Sequence, residues 1–157
     1  MSSKNDENLR LICQNKKARF EYELGDRIEA GIVLVGAEVK SLRQGKANLT
    51  EAYAKLENGE AWLVGVHITP YINASYNNHN PDRKRKLLLK RKEIKKLIGK
   101  IQEKGQSLIP LKLYFKNGLV KAELALAKGK KLHDKRQAMK EADSKREVSR
   151  AMKDYRR

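Results

Sequence analysis

The residues that most often carry out chemistry are few in this chain and lie far apart. Cys13 is the one cysteine, so the sequence offers neither an internal disulfide nor a cysteine zinc site. His67, His79 and His133 have no metal-ligand spacing around them. The KGKK segment at 128–131 lacks the glycine pattern of a phosphate-binding loop. The sequence therefore predicts no catalytic site, no metal site and no cofactor.

The dominant chemical property of the chain is its charge. It carries 36 Lys and Arg against 19 Asp and Glu in 157 residues, a net charge of +17. Such a charge indicates an anionic partner, either nucleic acid or a membrane surface. No apolar run approaches the roughly 20 residues of a membrane-spanning helix, and no signal peptide is evident. Nucleic acid is therefore favoured, and we expect a cytoplasmic protein with one domain.

The most regular pattern lies in residues 27–49. Apolar side chains alternate over 28–35, which predicts a half-buried strand with Glu29 on its outer face. After Gly36, Val39 and Leu42 give residues 37–44 one apolar face, which predicts a short helix that Gly45 ends. The basic residues left outside this helix are Lys40, Arg43 and Lys46. The alternating apolar residues of the strand are Ile28, Ala30, Ile32 and Leu34.

Two Asn-Gly pairs predict β-hairpins. The first joins residues 51–57 to 60–68, and the second joins 107–115 to 119–126. Asn-Gly supplies the positive φ angles of a type I′ turn, whose twist suits antiparallel strands. With strands at 17–24 and 28–35, these arms make six antiparallel strands. A closed barrel removes the exposed edges of such a sheet, so we predict a mainly β, oligonucleotide-binding-like barrel with short helices.

The alternation also predicts which side chains of the hairpins face the core. In the first hairpin these are Ala52, Ala54, Leu56, Trp62, Val64, Val66 and Ile68. In the second they are Ile109, Leu111, Leu113, Phe115, Val120, Ala122, Leu124 and Leu126. Lys121 falls on the outer face, together with Leu119 and Glu123.

A polar loop and a basic helix lie between the hairpins. The loop, residues 71–81, is either a plain surface loop or an RNA contact. Residues 91–103 have helical apolar spacing, and the helix begins either near Pro81 or after Leu89. Ten basic residues against two acidic ones fall between residues 82 and 100, so this region forms a basic ridge.

The character of the chain changes at residue 128. Residues 128–157 hold 12 Lys and Arg against 5 Asp and Glu, with few large apolar side chains. Such a segment cannot bury enough surface to fold alone, so we predict a barrel domain over 1–127 and a tail over 128–157 that is disordered when free. Val148, Met152 and Tyr155 recur at helical spacing, which predicts a helix when a partner supplies the opposing surface.

Several short motifs together resemble one protein family. The run EAGI…L.G.EVKSLR.GKANL lies at 29–49 and is preceded by NKKA at 15–18. HITPY, RKRKLLL, GKK and DKR follow at 67–71, 83–89, 129–131 and 134–136. In this order and spacing they resemble the bacterial transfer-messenger-RNA-binding family, also called SsrA-binding proteins. The resemblance covers almost the whole chain and implies the same barrel fold.

The resemblance implies a function that is not enzymatic. Members of the SsrA-binding family bind the transfer-RNA-like domain of transfer-messenger RNA and bring this RNA to ribosomes stalled on messages without a stop codon. Elongation factor Tu and alanyl-tRNA synthetase act on the same RNA, and a monomer is expected. The candidate RNA contacts are Tyr22, Glu29, Lys40, Arg43, Lys46, Asn48, Arg83, Arg85, Lys86, Leu88 and Lys121. For the tail, the resemblance implies that Gly129, Lys130, Lys131, His133, Asp134, Lys135 and Arg136 act in the decoding region, with the rest in the vacant messenger channel.

Each candidate also has a plainer interpretation. Glu29 is either an RNA contact, an orienter of a neighbouring arginine or only a salt-bridge partner. Tyr22 lies on an apolar face and is either core or RNA contact, and Leu88 is either a core plug or an apolar contact to an unstacked base. The tail alone also fits a solvated basic segment. For the whole chain, the alternatives are a ribosomal structural protein, or a nucleic-acid enzyme, whose carboxylate cluster or metal site is absent from the sequence.

Overall fold

The structure is a computed structural model that describes residues 9–72, 78–130 and 132–155. Its strands are β1 (Leu9–Gln14), β2 (Tyr22–Ile32), β3 (Ala47–Asn48), β4 (Tyr53–Glu57), β5 (Glu60–Val64), β6 (His67–Ile68), β7 (Arg85–Leu88), β8 (Ser107–Lys116) and β9 (Leu119–Gly129). Its helices are α1 (Ala18–Glu21), α2 (Gly36–Arg43), α3 (Arg91–Lys104) and α4 (Leu132–Tyr155). No helix within these ranges is long and apolar enough to cross a membrane.

Six strands pair edge to edge in a ring. The order is β8-β4-β5-β7-β2-β9, and β9 pairs in turn with β8, so the two ends of the sheet meet. All these pairs are antiparallel. Between β4 and β8 the ladder consists of a single residue pair, Ala54 with Leu108. The predicted fold, mainly β with six antiparallel strands and short helices, is confirmed.

One member of the ring differs from the prediction. The predicted strand at 17–24 is wrong, because residues 18–21 form the single turn α1. Strand β2 starts at Tyr22 and continues to Ile32 through an irregularity between Leu24 and Arg27, so two predicted strands are one bulged strand. The sixth strand of the ring is β7, which lies within the RKRKLLL run. The sequence did not predict this strand because one of its inward-facing residues is Arg85 and not an apolar residue. Strand β1, which extends the sheet beside β8, was also missed.

The first hairpin has the predicted turn but a different core face. Asn58 and Gly59 have positive φ angles of 52° and 73°, as a type I′ turn requires. Ala61 and Leu63 are buried, whereas the predicted Trp62 and Val64 face outward. The alternation shifts at Gly65, where φ is +80° and a Cβ would lie 2.7 Å from the carbonyl oxygen of Glu51. Beyond that glycine the prediction holds again for Val66 and Ile68, and on the leading arm it holds for Ala52, Ala54 and Leu56.

The second hairpin is interrupted by a bulge. The register of β8 against β9 shifts between Pro110 and Lys112. Ile109 and Leu111 therefore join a small apolar cluster with Ala18, Ala125 and Ala127, so their predicted place in the main core is wrong. The remaining predicted residues, Leu113, Phe115, Val120, Ala122, Leu124 and Leu126, do pack in the main core.

Two helices cover the main core. Leu42 of α2 and Leu97 of α3 are buried in it, which confirms both predicted helices. Helix α3 begins after Lys90, which settles the alternative in favour of a start beyond Leu89, and it ends at Gly105 in the left-handed conformation. Residues 81–82 lie in a turn.

The tail contains one long helix, α4, which lies against α1. Phe20 of α1, with Met139 and Ala142 of α4, lines a cleft of about 390 Å³ between them. The sequence predicts that this segment becomes helical when a partner supplies the opposing surface. In the structure, α1 of the same chain supplies part of such a surface to α4. Val148, Met152 and Tyr155 remain exposed. The predicted disorder of the free tail, and the domain boundary at 127, stay predictions.

The assignment of the two faces of β9 can be tested at Lys121, which faces outward, and at Leu124, which faces the core. Leu124→Ala should lower the free energy of unfolding by about 2–5 kcal/mol, because the side chain is fully buried. Lys121→Ala should change it by less than about 0.5 kcal/mol. Urea denaturation of both variants measures the difference, and equal losses would show that the faces of β9 are assigned wrongly.

Candidate nucleic-acid interface

A row of outward residues crosses three neighbouring strands. Gly31 of β2 lies opposite Leu88 of β7 on one side and opposite Lys121 of β9 on the other. Residues directly opposite in antiparallel strands share a face of the sheet, so these three form one surface row. A Cβ at Gly31 would lie 3.3 Å from Cδ1 of Leu88, so the missing side chain leaves room for Leu88 over β2.

Leu88 is the apolar member of this row. Its side chain is 56% exposed, whereas Leu87 beside it is 2% exposed. The interpretation of Leu88 as a core residue is therefore wrong, and Leu87 packs in the core instead. An exposed apolar side chain among basic residues suits contact with an unstacked base.

Glu29 lies two residues before Gly31 on the same strand face. Its carboxylate accepts a hydrogen bond from the hydroxyl of Tyr114, and Nζ of Lys116 lies 3.3 Å from its Oε2. The Tyr114 hydrogen bond is the largest cause that lowers the pKa of Glu29, while burial and Glu29 raise the pKa of Tyr114. At neutral pH a charged Glu29 therefore orients Tyr114 and Lys116. Of the open alternatives for Glu29, the orientation of an arginine finds no support in the described residues: the neighbouring Arg27 pairs with Glu123, 3.5 Å away.

These side chains border a shallow groove on the outer face of β1, β2, β8 and β9. Its volume is about 350 Å³. Two carboxylates and two lysines line it, so it presents both hydrogen-bond acceptors and cations to a partner. The residues that line it are Leu9, Leu11, Glu29, Lys112, Tyr114, Lys116 and Glu123.

The second basic group surrounds α2. Lys40, Arg43 and Lys46 are exposed, as the sequence predicts. The position of α2 depends on Glu38, which sequence reasoning missed and which is fully buried. Its Oε1 accepts hydrogen bonds from the backbone N–H of Val35 at 3.0 Å and from Nε of Arg83 at 3.2 Å.

Arg85 completes this buried network. Its Nε donates to Oε2 of Glu38 at 2.5 Å, and its Nη1 donates to the carbonyl oxygen of Val66 at 2.6 Å. Its Nη2 donates to the carbonyl oxygen of Pro81 at 3.0 Å. Burial raises the pKa of Glu38, but the hydrogen bonds from Arg83, Val35 and Arg85 outweigh it, and the net pKa is lowered. One buried ion pair thus ties α2 to β7, and Arg85 also binds the backbone at Val66 and Pro81.

The network changes the expected roles in the RKRK run. Arg85 was predicted as an RNA contact, but its side chain is fully buried, so its place is inside the protein. Arg83 is 31% exposed and also bound to Glu38. Lys86 is partly exposed and lies 3.4 Å from Glu60. One sequence feature could have indicated this ion pair. Glu38 precedes Leu42 by four residues, so both lie on the core face of the helix. A carboxylate on that face needs a buried cation.

The other predicted contacts are spread over the molecule. Tyr22 packs against the small apolar cluster, and Asn48 uses Oδ1 to accept hydrogen bonds from the N–H and hydroxyl of Thr50. Lys130 donates its N–H to the carbonyl oxygen of Glu21 at 3.0 Å and its Nζ to that of Arg19 at 2.8 Å. These bonds fix the start of the tail on α1.

The predicted decoding-region residues are only partly described. Gly129 ends β9, and Arg136 is an exposed residue of α4. His133, Asp134 and Lys135 belong to the helix by their backbone, and their side chains lie outside the described part of the structure. Lys131 lies outside the described residues altogether.

Among the described residues, no group of three or more His, Cys, Asp or Glu side chains could hold a metal ion. Burial raises the pKa of the Cys13 thiol to about 11, so this thiol is protonated at neutral pH. The arrangement presents an outer row with Leu88 and Lys121, and the cations around α2.

Comparison with known proteins gives consistent matches over nearly the whole chain. The profile of the SmpB protein family matches residues 12–154. The SsrA-binding protein of Syntrophobacter fumaroxidans is 60% identical over 147 residues, 94% of this chain and 91% of its own. That of Nostoc punctiforme is 56% identical over 157 residues, 99% of this chain and 100% of its own. A solved structure described as "tmRNA-SmpB: a journey to the center of the bacterial ribosome" contains a chain with 47% identity and a TM-score of 0.66. The match covers 81% of this chain and 93% of that one.

Removal of the Glu38 carboxylate should destabilise the fold strongly. Glu38→Ala leaves Arg85 buried without its counter-charge, which should lower the free energy of unfolding by about 3–5 kcal/mol. Glu57→Ala, at an exposed carboxylate 3.6 Å from Lys55, should cost less than about 1 kcal/mol and serves as the control. Urea denaturation measures both, and a similarly small loss for Glu38→Ala would contradict the buried ion pair.

The same ion pair gives the direction of the pH dependence. The pKa of Glu38 is lower in the folded state than its ordinary value of 4.5. Its stabilising contribution is therefore complete above that value and is lost as the pH falls through the folded-state pKa. Repeating the titrations down the acid range should show a smaller decline in stability for Glu38→Gln than for the wild type.

Proposed function

The chain belongs to the SmpB protein family, and we propose that it binds the transfer-RNA-like domain of transfer-messenger RNA and delivers this RNA to stalled ribosomes. The family consists of RNA-binding proteins and not of enzymes. The observation that carries the proposal is the 47% identity to a chain solved in a structure of tmRNA and SmpB with the ribosome. Relatives called SsrA-binding proteins, which match over more than nine-tenths of this chain, support it.

The outer row supplies the first part of the proposed RNA contact. Lys121 offers a cation to a phosphate, Leu88 an apolar surface to a base, and Glu29 a fixed acceptor beside them. Aromatic residues make up only 6% of the chain, so recognition by shape and charge suits it better than a stacking groove for single strands.

The cations around α2 and β7 supply the second part. Lys40, Arg43 and Lys46 would contact phosphates of the folded RNA, with Lys86 and the exposed edge of Arg83 beside them. Arg85 would act indirectly, because it holds Glu38 and thereby the position of α2. Two further candidate RNA contacts in this proposal are Tyr22 and Asn48.

The tail would act after the RNA has been bound. Residues 129–136 would lie in the decoding region of the small subunit, and the remainder of α4 along the vacant messenger channel. Its basic side chains would face ribosomal RNA phosphates there. Elongation factor Tu and alanyl-tRNA synthetase would meet this protein through the same RNA, in the cytoplasm, with one protein copy per RNA.

The RNA contact is tested by the salt dependence of binding to the isolated transfer-RNA-like domain. Affinity should fall steeply with salt, since each neutralised phosphate adds about 0.7–0.9 to the log–log slope. Lys121→Ala should reduce both the affinity and this slope, whereas Lys104→Ala, an exposed lysine in the last turn of α3, should not. Fluorescence anisotropy titrations measure both values. A nearly flat salt dependence for the wild type would refute a phosphate-dominated interface.

The role of the tail is tested separately. Deletion of the residues after 131 should preserve binding to the isolated RNA domain, because the barrel and both basic groups remain. It should abolish peptide tagging on stalled ribosomes in a reconstituted translation system. The double variant Val148→Pro and Met152→Pro keeps every charge but blocks the helix. If this variant supports tagging at the normal rate, the tail acts only as a basic tether.

A further inference from the structure

The backbone that leads to Tyr71 is anchored to α2. The Oγ of Ser41, a buried residue of α2, donates to the carbonyl oxygen of Thr69 at 2.6 Å. The N–H of Thr69 in turn donates to the carbonyl oxygen of Lys46 at 3.1 Å. Pro70 follows, with its φ angle fixed by the ring, and leads directly into Tyr71. The backbone on the N-terminal side of Tyr71 is therefore fastened to the helix.

The C-terminal side is fastened by Asn78. Its Oδ1 accepts a hydrogen bond from the N–H of Tyr71 at 3.1 Å, and its Nδ2 donates to the carbonyl oxygen of Tyr71 at 2.9 Å. The same Oδ1 also accepts from the N–H of His79 at 3.2 Å. His79 is anchored by Nε2, which lies 2.8 Å from the carbonyl oxygen of Ile68. Both ends of the 71–81 loop thus meet at Tyr71.

The Tyr71 ring lies next to the cations of α2. The Nζ of Lys40 is 5.5 Å from the ring centroid, within the range of a cation–π contact. Tyr71 is partly exposed, and neither apolar cluster within the described ranges includes it. The hydrogen bonds from Asn78 hold the backbone of Tyr71, and this places the ring next to cations that we assign to RNA phosphates.

We propose that Tyr71 and Lys40 form a binding site for one unstacked nucleotide, whose base stacks on the ring while its phosphate pairs with Lys40. The proposal rests on the proposed function, since it names a contact of the same RNA-binding surface. Stacking on an aromatic ring is favourable for any exposed base, and a residue whose backbone is already held loses less conformational entropy when it binds. Lys40 lies close enough to the ring for one nucleotide to reach both groups.

The two parts of the site predict different binding behaviour. Tyr71→Leu should weaken binding of the isolated transfer-RNA-like domain by about 5- to 150-fold without changing the salt slope, since it removes stacking and no charge. Lys40→Ala should lower the salt slope by about 0.7–0.9. Tyr71→Phe, which keeps the ring, should bind within about twofold of the wild type. Tyr53→Leu, at an exposed tyrosine of β4, is the control and should leave affinity unchanged.

The results separate this proposal from the proposed function. If the wild type does not bind the RNA domain, the function fails; if it binds and Tyr71→Leu binds equally well, only the nucleotide site fails. A second measurement uses the wild-type fold: 3-fluorotyrosine labelling, with the Tyr71 resonance identified by its absence in Tyr71→Phe. A base stacked on the ring should shift this resonance upfield when RNA is added. An unchanged resonance in the RNA complex overturns the proposal even if Tyr71→Leu fails to fold.

Discussion

A buried carboxylate needs a counter-charge and hydrogen bonds, and Glu38 obtains both from two separate parts of the chain. The backbone N–H of Val35, the residue before α2, donates to it, and so do Arg83, just before β7, and Arg85, the first residue of β7. Arg85 in turn holds the carbonyl oxygens of Val66 and Pro81. Since the cost of an unpaired buried charge is several kcal/mol, these elements can adopt only the arrangement that satisfies all of these bonds.

The basic surface follows from this arrangement. Glu38 fixes the first turn of α2, and the same helix carries Lys40 and Arg43 on its outer side. Ser41 of that helix holds Thr69, which brings Tyr71 beside Lys40. Two arginines surround a single carboxylate, so the network itself retains a net positive charge below the surface. The structural role of Glu38 and the proposed RNA contacts of Lys40 and Arg43 therefore belong to one short helix.

Local alternation predicted much of the fold, but not the places where long-range constraints decide. The apolar faces of β9, α2 and α3 follow directly from their spacing, and the Asn-Gly pairs marked both hairpin turns. In the returning arm of the first hairpin, Trp62 and Val64 were assigned the wrong face because Gly65 shifts the alternation by one residue. Strand β7 was missed because Arg85 occupies its inward position, and the residue that compensates it, Glu38, is 47 positions away.

The candidate site shows the same division. Glu29, Leu88 and Lys121 were predicted from the period of two and from family resemblance, and strand register places Leu88 and Lys121 on either side of Gly31. The hydrogen bond from Tyr114 to Glu29 joins residues 85 positions apart, and no local pattern indicates it. Likewise, charge counts marked the RKRK run as a basic surface, yet only the fold shows which arginine points inward.

The central claim is that this surface recognises one particular RNA. The most direct measurement is to express the tagged chain in bacterial cells, purify it gently and sequence the RNA that remains bound. The account predicts a single dominant species, transfer-messenger RNA, in about equal molar amount to the protein. Ribosomal RNA alone, with no enrichment of transfer-messenger RNA, would contradict it.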